Sequence, residues 1–166
     1  MKRKLLFIAI MMMAALSVNA QGEEILTTQQ SDIKGSWHAI VDDIYTCFTF
    51  ANNGLVNVLM TVDINDENFS AQMKVTIPGT YSVTGSKLNI VTDKERCDIQ
   101  LDNFKMKGDA EGMEDIAKNL LVEYFSEHKE EVTSEFNFGE ITIVSVTVDT
   151  LELDFGDRVI SFEKVK

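Results

Sequence analysis

The sequence predicts a mainly β protein: an antiparallel up-and-down β-barrel of about eight to ten strands, with one amphipathic α-helix inserted between strands. Three observations carry that expectation. From Phe69 to Ile77, apolar Phe69, Ala71, Met73, Val75 and Ile77 alternate with polar Ser70, Gln72, Lys74 and Thr76, the period of two of a strand with one buried face. Similar short segments recur along the chain, separated by turns rich in glycine, asparagine and aspartate. One segment, at about 110–131, changes to a helical period. So many short strands need their edges protected, and a closed barrel or a two-sheet sandwich does this. Short connections between successive strands favour the barrel.

The first twenty residues stand apart. Lys2, Arg3 and Lys4 precede an unbroken apolar run from Leu5 to Leu16, and Val18-Asn19-Ala20 supplies small residues at cleavage-site positions. This pattern is that of a secretory signal peptide, cleaved after Ala20. The run is well short of the ~20 residues that cross a bilayer, and no cysteine lies near the cleavage point, so a lipoprotein anchor is not expected. The protein is therefore expected to be exported, periplasmic or extracellular. Residues 21–34 are polar and aperiodic and read as a flexible lead-in, and 35–166 read as one barrel domain.

Within that domain, Gly35-Ser36-Trp37 opens the first strand, with Trp37, Ala39 and Val41 on one parity, and Asp42-Asp43 ends it. Phe48 and Phe50 share a face on the second strand, and Asn52-Asn53-Gly54 signals a hairpin. Leu55 to Val62 is apolar on both parities, which predicts cover on both faces. After the loop Asp63 to Asn68 comes the alternating strand described above. Pro78-Gly79 is expected to reverse the chain. Tyr81 and Val83, then Leu88 and Ile90 beyond Gly85-Ser86, give two further strands. Asp93-Lys94-Glu95 is a turn, and Cys97, Ile99 and Leu101 alternate after it. Met113, Ile116, Ala117, Leu120, Leu121, Tyr124 and Phe125 follow helical spacing, with Asp109 as the expected N-cap. Strands resume at 134–138, 141–148, 150–155 and 158–165, giving about ten in all.

Gly35-x-Trp37, Phe48 and Phe50 before an Asn-Gly turn, GTYSVTGSKLNI from Gly79, and the closing segments TLELDF and VISFEKV resemble the lipocalin-like (calycin-type) barrels of bacterial cell-envelope proteins. The resemblance covers most of the chain after residue 34 and implies a barrel with the tryptophan at its base. In that family an arginine late in the chain covers the tryptophan, and Arg158 is the only late arginine here.

Chemistry is sparsely represented. Without residues 1–20 the chain carries 12 Lys plus Arg against 27 Asp plus Glu, a formal charge of −15, which repels nucleic acid and anionic lipid. His38 and His128 are the only histidines, and they read as solvated or locally bonded. Asp63, Asn65 and Glu67 alternate like calcium ligands but lack the turn glycine and distal glutamate of such loops. Glu123, Glu127, Glu130 and Glu131 read as a solvated helix face. No cofactor, metal or catalytic residue is expected, and the protein is not expected to be an enzyme. Cys47 and Cys97 fall on opposite faces by parity, which predicts two free thiols.

Two function classes follow. In the first, a small hydrophobic molecule is the partner, with Trp37, Phe48, Phe50, Met73, Tyr81, Leu121 and Phe125 as the candidate ligand-binding residues. In the second, the same aromatics fill the barrel, and the protein is a structural or protein-interaction module of the envelope. The helix is expected to pack Leu120, Leu121, Tyr124 and Phe125 against the barrel, closing its mouth or covering an outer strip.

Overall fold

The structure, a computed structural model, describes residues 32–108, 112–133 and 138–166. The expected signal peptide, most of the 21–34 lead-in, the Asp109 cap and all but the last residue of the strand at 134–138 lie outside the described residues.

Among the described residues, alternation of apolar and polar residues produces nine strands: β1 (Gly35–Val41), β2 (Ile44–Phe50), β3 (Leu55–Asn65), β4 (Phe69–Thr84), β5 (Lys87–Thr92), β6 (Asp98–Met106), β7 (Glu140–Val146), β8 (Thr150–Asp154) and β9 (Val159–Lys164). Every pairing is antiparallel. Going round, β1-β2-β3-β4-β5-β7-β8-β9 closes on β1, and among the described residues β6 pairs only with β4. The protein is thus a closed eight-stranded barrel with one strand outside it. The seams are short, three residue pairs between β5 and β7 and two between β1 and β9. Asp42 and Asp43 both adopt positive φ (51° and 66°), as a two-residue hairpin loop of the twist-matched type requires.

Pro78-Gly79 does not reverse the chain, contrary to the sequence expectation. β4 runs unbroken through both residues for 16 positions, with Pro78 opposite Asn57 and Gly79 opposite Val56. The proline is tolerated because its amide side faces the gap between two neighbours. β5 pairs with β4 only as far as Gly79, and β6 begins opposite Thr76. In that gap the Pro78 carbonyl accepts from the Asp93 amide (2.8 Å), and no ladder bond needs the missing N–H. Gly79 is required for a different reason. A Cβ there would lie 2.4 Å from the Val91 carbonyl oxygen, so only glycine lets β5 come this close. Asp93-Lys94-Glu95 does form the expected turn, without reversing the chain. A 3-10 turn at Lys94–Arg96, capped by the Asp93 side chain, carries the chain from β5 into β6 along the same side of β4.

β3 is not covered on both faces either. Val56, Val58 and Met60 are buried, whereas Leu55 is exposed, so one face of β3 is wet at its start. The end of β3 after Thr61 and the first half of β4 project beyond the barrel, and β6 joins them to make a three-stranded extension. Cross-strand pairs share a face, so Met60↔Val75, Val62↔Met73, Val75↔Ile99 and Met73↔Leu101 continue the barrel's inward face onto the extension. Asn103, at φ 51°, lies where the β4–β6 register slips by one residue. That bulge brings Phe104 onto the Phe69 ring (5.4 Å).

The helical period is realised as α1 (Glu114–Glu127) and a short α2 (Lys129–Thr133), between β6 and β7. α1 starts at Glu114 with Met113 as N-cap and no side-chain cap bond. Its first turn carries Glu114 and Asp115, which suit the positive end of the helix dipole. The core has two lobes. The barrel lobe centres on Trp37, Phe48, Phe50 and Phe162. The extension lobe comprises Ala71, Met73, Val75, Ile77, Cys97, Ile99 and Leu101 with Phe125 from α1.

Candidate functional site

The seven residues predicted to line a ligand site fall into two separate groups. Trp37, Phe48, Phe50 and Tyr81 point into the barrel from β1, β2 and β4 and are all buried. Phe48 stacks on Phe50 (5.9 Å) and meets Phe138 and Phe162 edge-on (both 5.4 Å), while Phe50 meets Tyr81 edge-on (4.9 Å). These separations are the favourable ones for ring pairs, so the aromatics fill this level of the barrel with one another. Their polar tips are also satisfied from within: Trp37 Nε1 donates to the Ile33 carbonyl (2.7 Å) and Tyr81 Oη to the Ala51 carbonyl (2.9 Å). Met73, Leu121 and Phe125 belong to the other lobe, between α1 and the extension.

Lys164 covers the tryptophan in place of an arginine. Its ammonium sits 4.8 Å from the Trp37 ring centroid, a cation–π contact. Arg158 instead pairs with Asp42 (2.9 Å), joining the β1–β2 turn to the β8–β9 turn at the barrel end away from Trp37. The order of residues could not distinguish these two cations. The β1–β9 register does, because Trp37 and Lys164 are direct partners.

Two open hollows lie outside the barrel interior. One, of about 800 Å³, runs along the outer wall between Leu55, Pro78 and Val91 and is rimmed by Asp93, Lys94, Glu95 and Arg96. The other, about 600 Å³, lies between Lys94, Glu95, Lys129 and Glu130. Neither is lined by any of the seven predicted residues.

The histidines are on different elements. His38 stands on the outer wall of β1, stacked on Tyr45 (5.5 Å) and directly across from Cys47. Its Nδ1 is buried without a hydrogen-bond partner among the described residues. Burial, and then the neighbouring Cys47, raise the Tyr45 phenol above its usual value. His128 ends α1, with its ring 4.2 Å from that of Tyr124. In the Asp63–Glu67 loop, Asn65 Oδ1 and the Asp66 carbonyl accept from Lys107 Nζ (2.6 and 2.8 Å), and Asp63 accepts from Gln72 (3.1 Å). No group of three His, Cys, Asp or Glu among the described residues is placed to hold a metal ion. Both cysteines are unbridged, with Cys47 on the outer face and Cys97 on the inner. Burial pushes the Cys97 thiol up, against the opposing charge of Lys129.

The most distinctive surface is on α1, and sequence reasoning divided it wrongly. Leu121, Val122 and Phe125 pack on the extension, but Leu120 and Tyr124, expected to pack with them, do not. Met113 (52% exposed), Ile116 (60%), Leu120 (61%) and Tyr124 (39%) form an outward line. The helix does not pack on the outer wall. It lies on the inward face of the extension, with β6 as its main neighbour. The signal was present, since the seven apolar residues span about half the helix circumference at 100° per residue, more than one packed face needs. Which half is left uncovered depends on the β6 register.

The architecture defines the class as a closed antiparallel barrel, compatible with the lipocalin-like fold. Compared with known proteins, the sequence matches no family model and no curated protein.

Proposed function

We propose that this chain is an exported, non-catalytic interaction module of the bacterial cell envelope, in which the barrel is a side-chain-filled scaffold and α1 presents the binding surface. The observation that carries this reading is the outward apolar line of α1, Met113, Ile116, Leu120 and Tyr124, which gathers four of the eleven exposed large apolar side chains among the described residues along one helix, the other seven being spread over strands and turns. Contiguous exposed apolar surface on an otherwise polar, acidic protein marks a contact site. The export part of the reading rests on the composition of residues 1–20 alone, and N-terminal sequencing of protein from its native host tests it, with Gln21 as the expected first residue.

A second reading, a carrier of a small apolar molecule, draws support from the outer groove of about 800 Å³ between Leu55, Pro78 and Val91, a size suited to a small ligand. Site-specific photo-crosslinking in the native host separates the two. A photoreactive residue in place of Ile116 or Leu120 is expected to give discrete protein adducts, and one at Val91 none. Absence of protein adducts from every exposed position tried would overturn the interaction reading.

A further inference from the structure

We propose that the outward line of α1 docks a basic amphipathic helix of a partner protein, with apolar residues of that helix against Ile116, Leu120 and Tyr124 and its lysines or arginines beside Glu123 and Glu127. The inference rests on the interaction reading above and specifies its partner. Spacings of four place Ile116, Leu120 and Tyr124 along one line of a 14-residue helix, with the N-cap Met113 three residues before Ile116, and the helix is about 21 Å long. A surface of that shape fits the apolar stripe of another helix.

Charge selects the partner's chemistry. At 100° per residue, Glu123 and Glu127 lie within about 60° of Leu120, on the side away from the packed Leu121 and Phe125. Both are exposed, and no ion pair engages either among the described residues. The two lysines of the helical segment lie elsewhere: Lys118 is about 160° from Leu120 at 100° per residue, and Lys129 is on α2 beside the hollow lined by Lys94 and Glu95. The apolar line therefore has an acidic flank with no basic counterpart of its own. A second copy of this chain would bring the Glu123 and Glu127 carboxylates of both molecules to one apolar seam without a lysine to offset them, and an anionic membrane would be repelled. A helix carrying lysine or arginine beside leucine-like residues meets both requirements.

The test is fluorescence anisotropy of the purified protein with a labelled leucine–lysine amphipathic helical peptide as long as α1, and with its leucine–glutamate counterpart. The expected result is saturable one-to-one binding of the leucine–lysine peptide only. The Ile116→Ala/Leu120→Ala variant should weaken it about tenfold, as loss of central apolar contacts does, while its far-UV circular dichroism stays that of the parent. Glu123→Gln/Glu127→Gln should weaken binding and flatten its salt dependence. Unchanged affinity in the Ile116→Ala/Leu120→Ala variant overturns the proposal, as does equal binding of the leucine–glutamate peptide. Two further outcomes also overturn it: self-association in sedimentation that this variant abolishes, and binding of phosphatidylglycerol vesicles that it abolishes. If the peptide fails while photo-crosslinks still capture protein at other exposed positions, this proposal falls and the interaction reading stands.

Discussion

At the scale of single residues, the structure separates contacts that hold the fold from polar groups that only decorate it. Lys164 lies on Trp37, so Lys164→Ala should cost about 1 kcal/mol, measurable by urea unfolding followed through the single tryptophan. Gly79 and Gly85 make a sharper pair. Gly79→Ala drives a Cβ to 2.4 Å from the Val91 carbonyl, a backbone atom that cannot rotate away, and should cost about 2–3 kcal/mol. Gly85→Ala meets nothing within 4 Å and has only its φ of +60° to bear, so about 1 kcal/mol is expected. Equal losses in the two variants would refute the close approach of β5. Asp102 gives a pH signature. The hydrogen bond from Lys74 (2.5 Å) and its charge, with Lys118 adding, hold the Asp102 carboxyl below its ordinary value. A carboxyl lowered in the folded chain contributes stability above its unfolded pKa and loses it as pH falls through the folded one. The urea midpoint of Lys74→Met should therefore lie below the parent's at neutral pH, with a gap that closes as the pH drops into the acidic carboxylate range. A gap that widened instead would contradict the assignment.

At the scale of elements, α1 is the informative case, because its two flanks have different roles. Leu121 is partly buried against the extension and Leu120 is not. Leu121→Asp should therefore lower stability by about 2 kcal/mol or more, through lost apolar burial and a carboxylate brought against the core. Leu120→Asp should change it by no more than about 0.5 kcal/mol. Thermal unfolding of the two variants decides the matter, and similar melting of both would mean that the helix packs some other way. The strands were legible where alternation was strict, as in β4 and at Cys97, Ile99 and Leu101. They were misread where a local signal met a tertiary exception. Pro78-Gly79 has the chemistry of a turn, yet it lies where β4 changes partner from β6 to β5 and the missing amide costs no ladder bond. That exchange involves residues nearly twenty positions apart, and a local reading of turn residues does not see it.

At the scale of the whole molecule, the barrel class was legible because many short alternating segments with short connections leave few ways to protect strand edges. The seams that close the barrel, β5 with β7 and β1 with β9, were not legible, since they join segments about fifty and more than a hundred residues apart. The candidate site was legible only as a set of inward aromatics. Its division into a barrel lobe around Phe48 and an extension lobe around Phe125 depends on where β3 and β4 leave the barrel. The central claim is that the barrel is a solid scaffold and that binding is external. Native mass spectrometry of the protein purified without denaturation from its native host tests this most directly. The account predicts the mass of the polypeptide alone, in the parent and in Phe48→Ala alike. A stoichiometric small apolar adduct in the parent, lost when Phe48 or Phe50 is replaced by alanine, would contradict it.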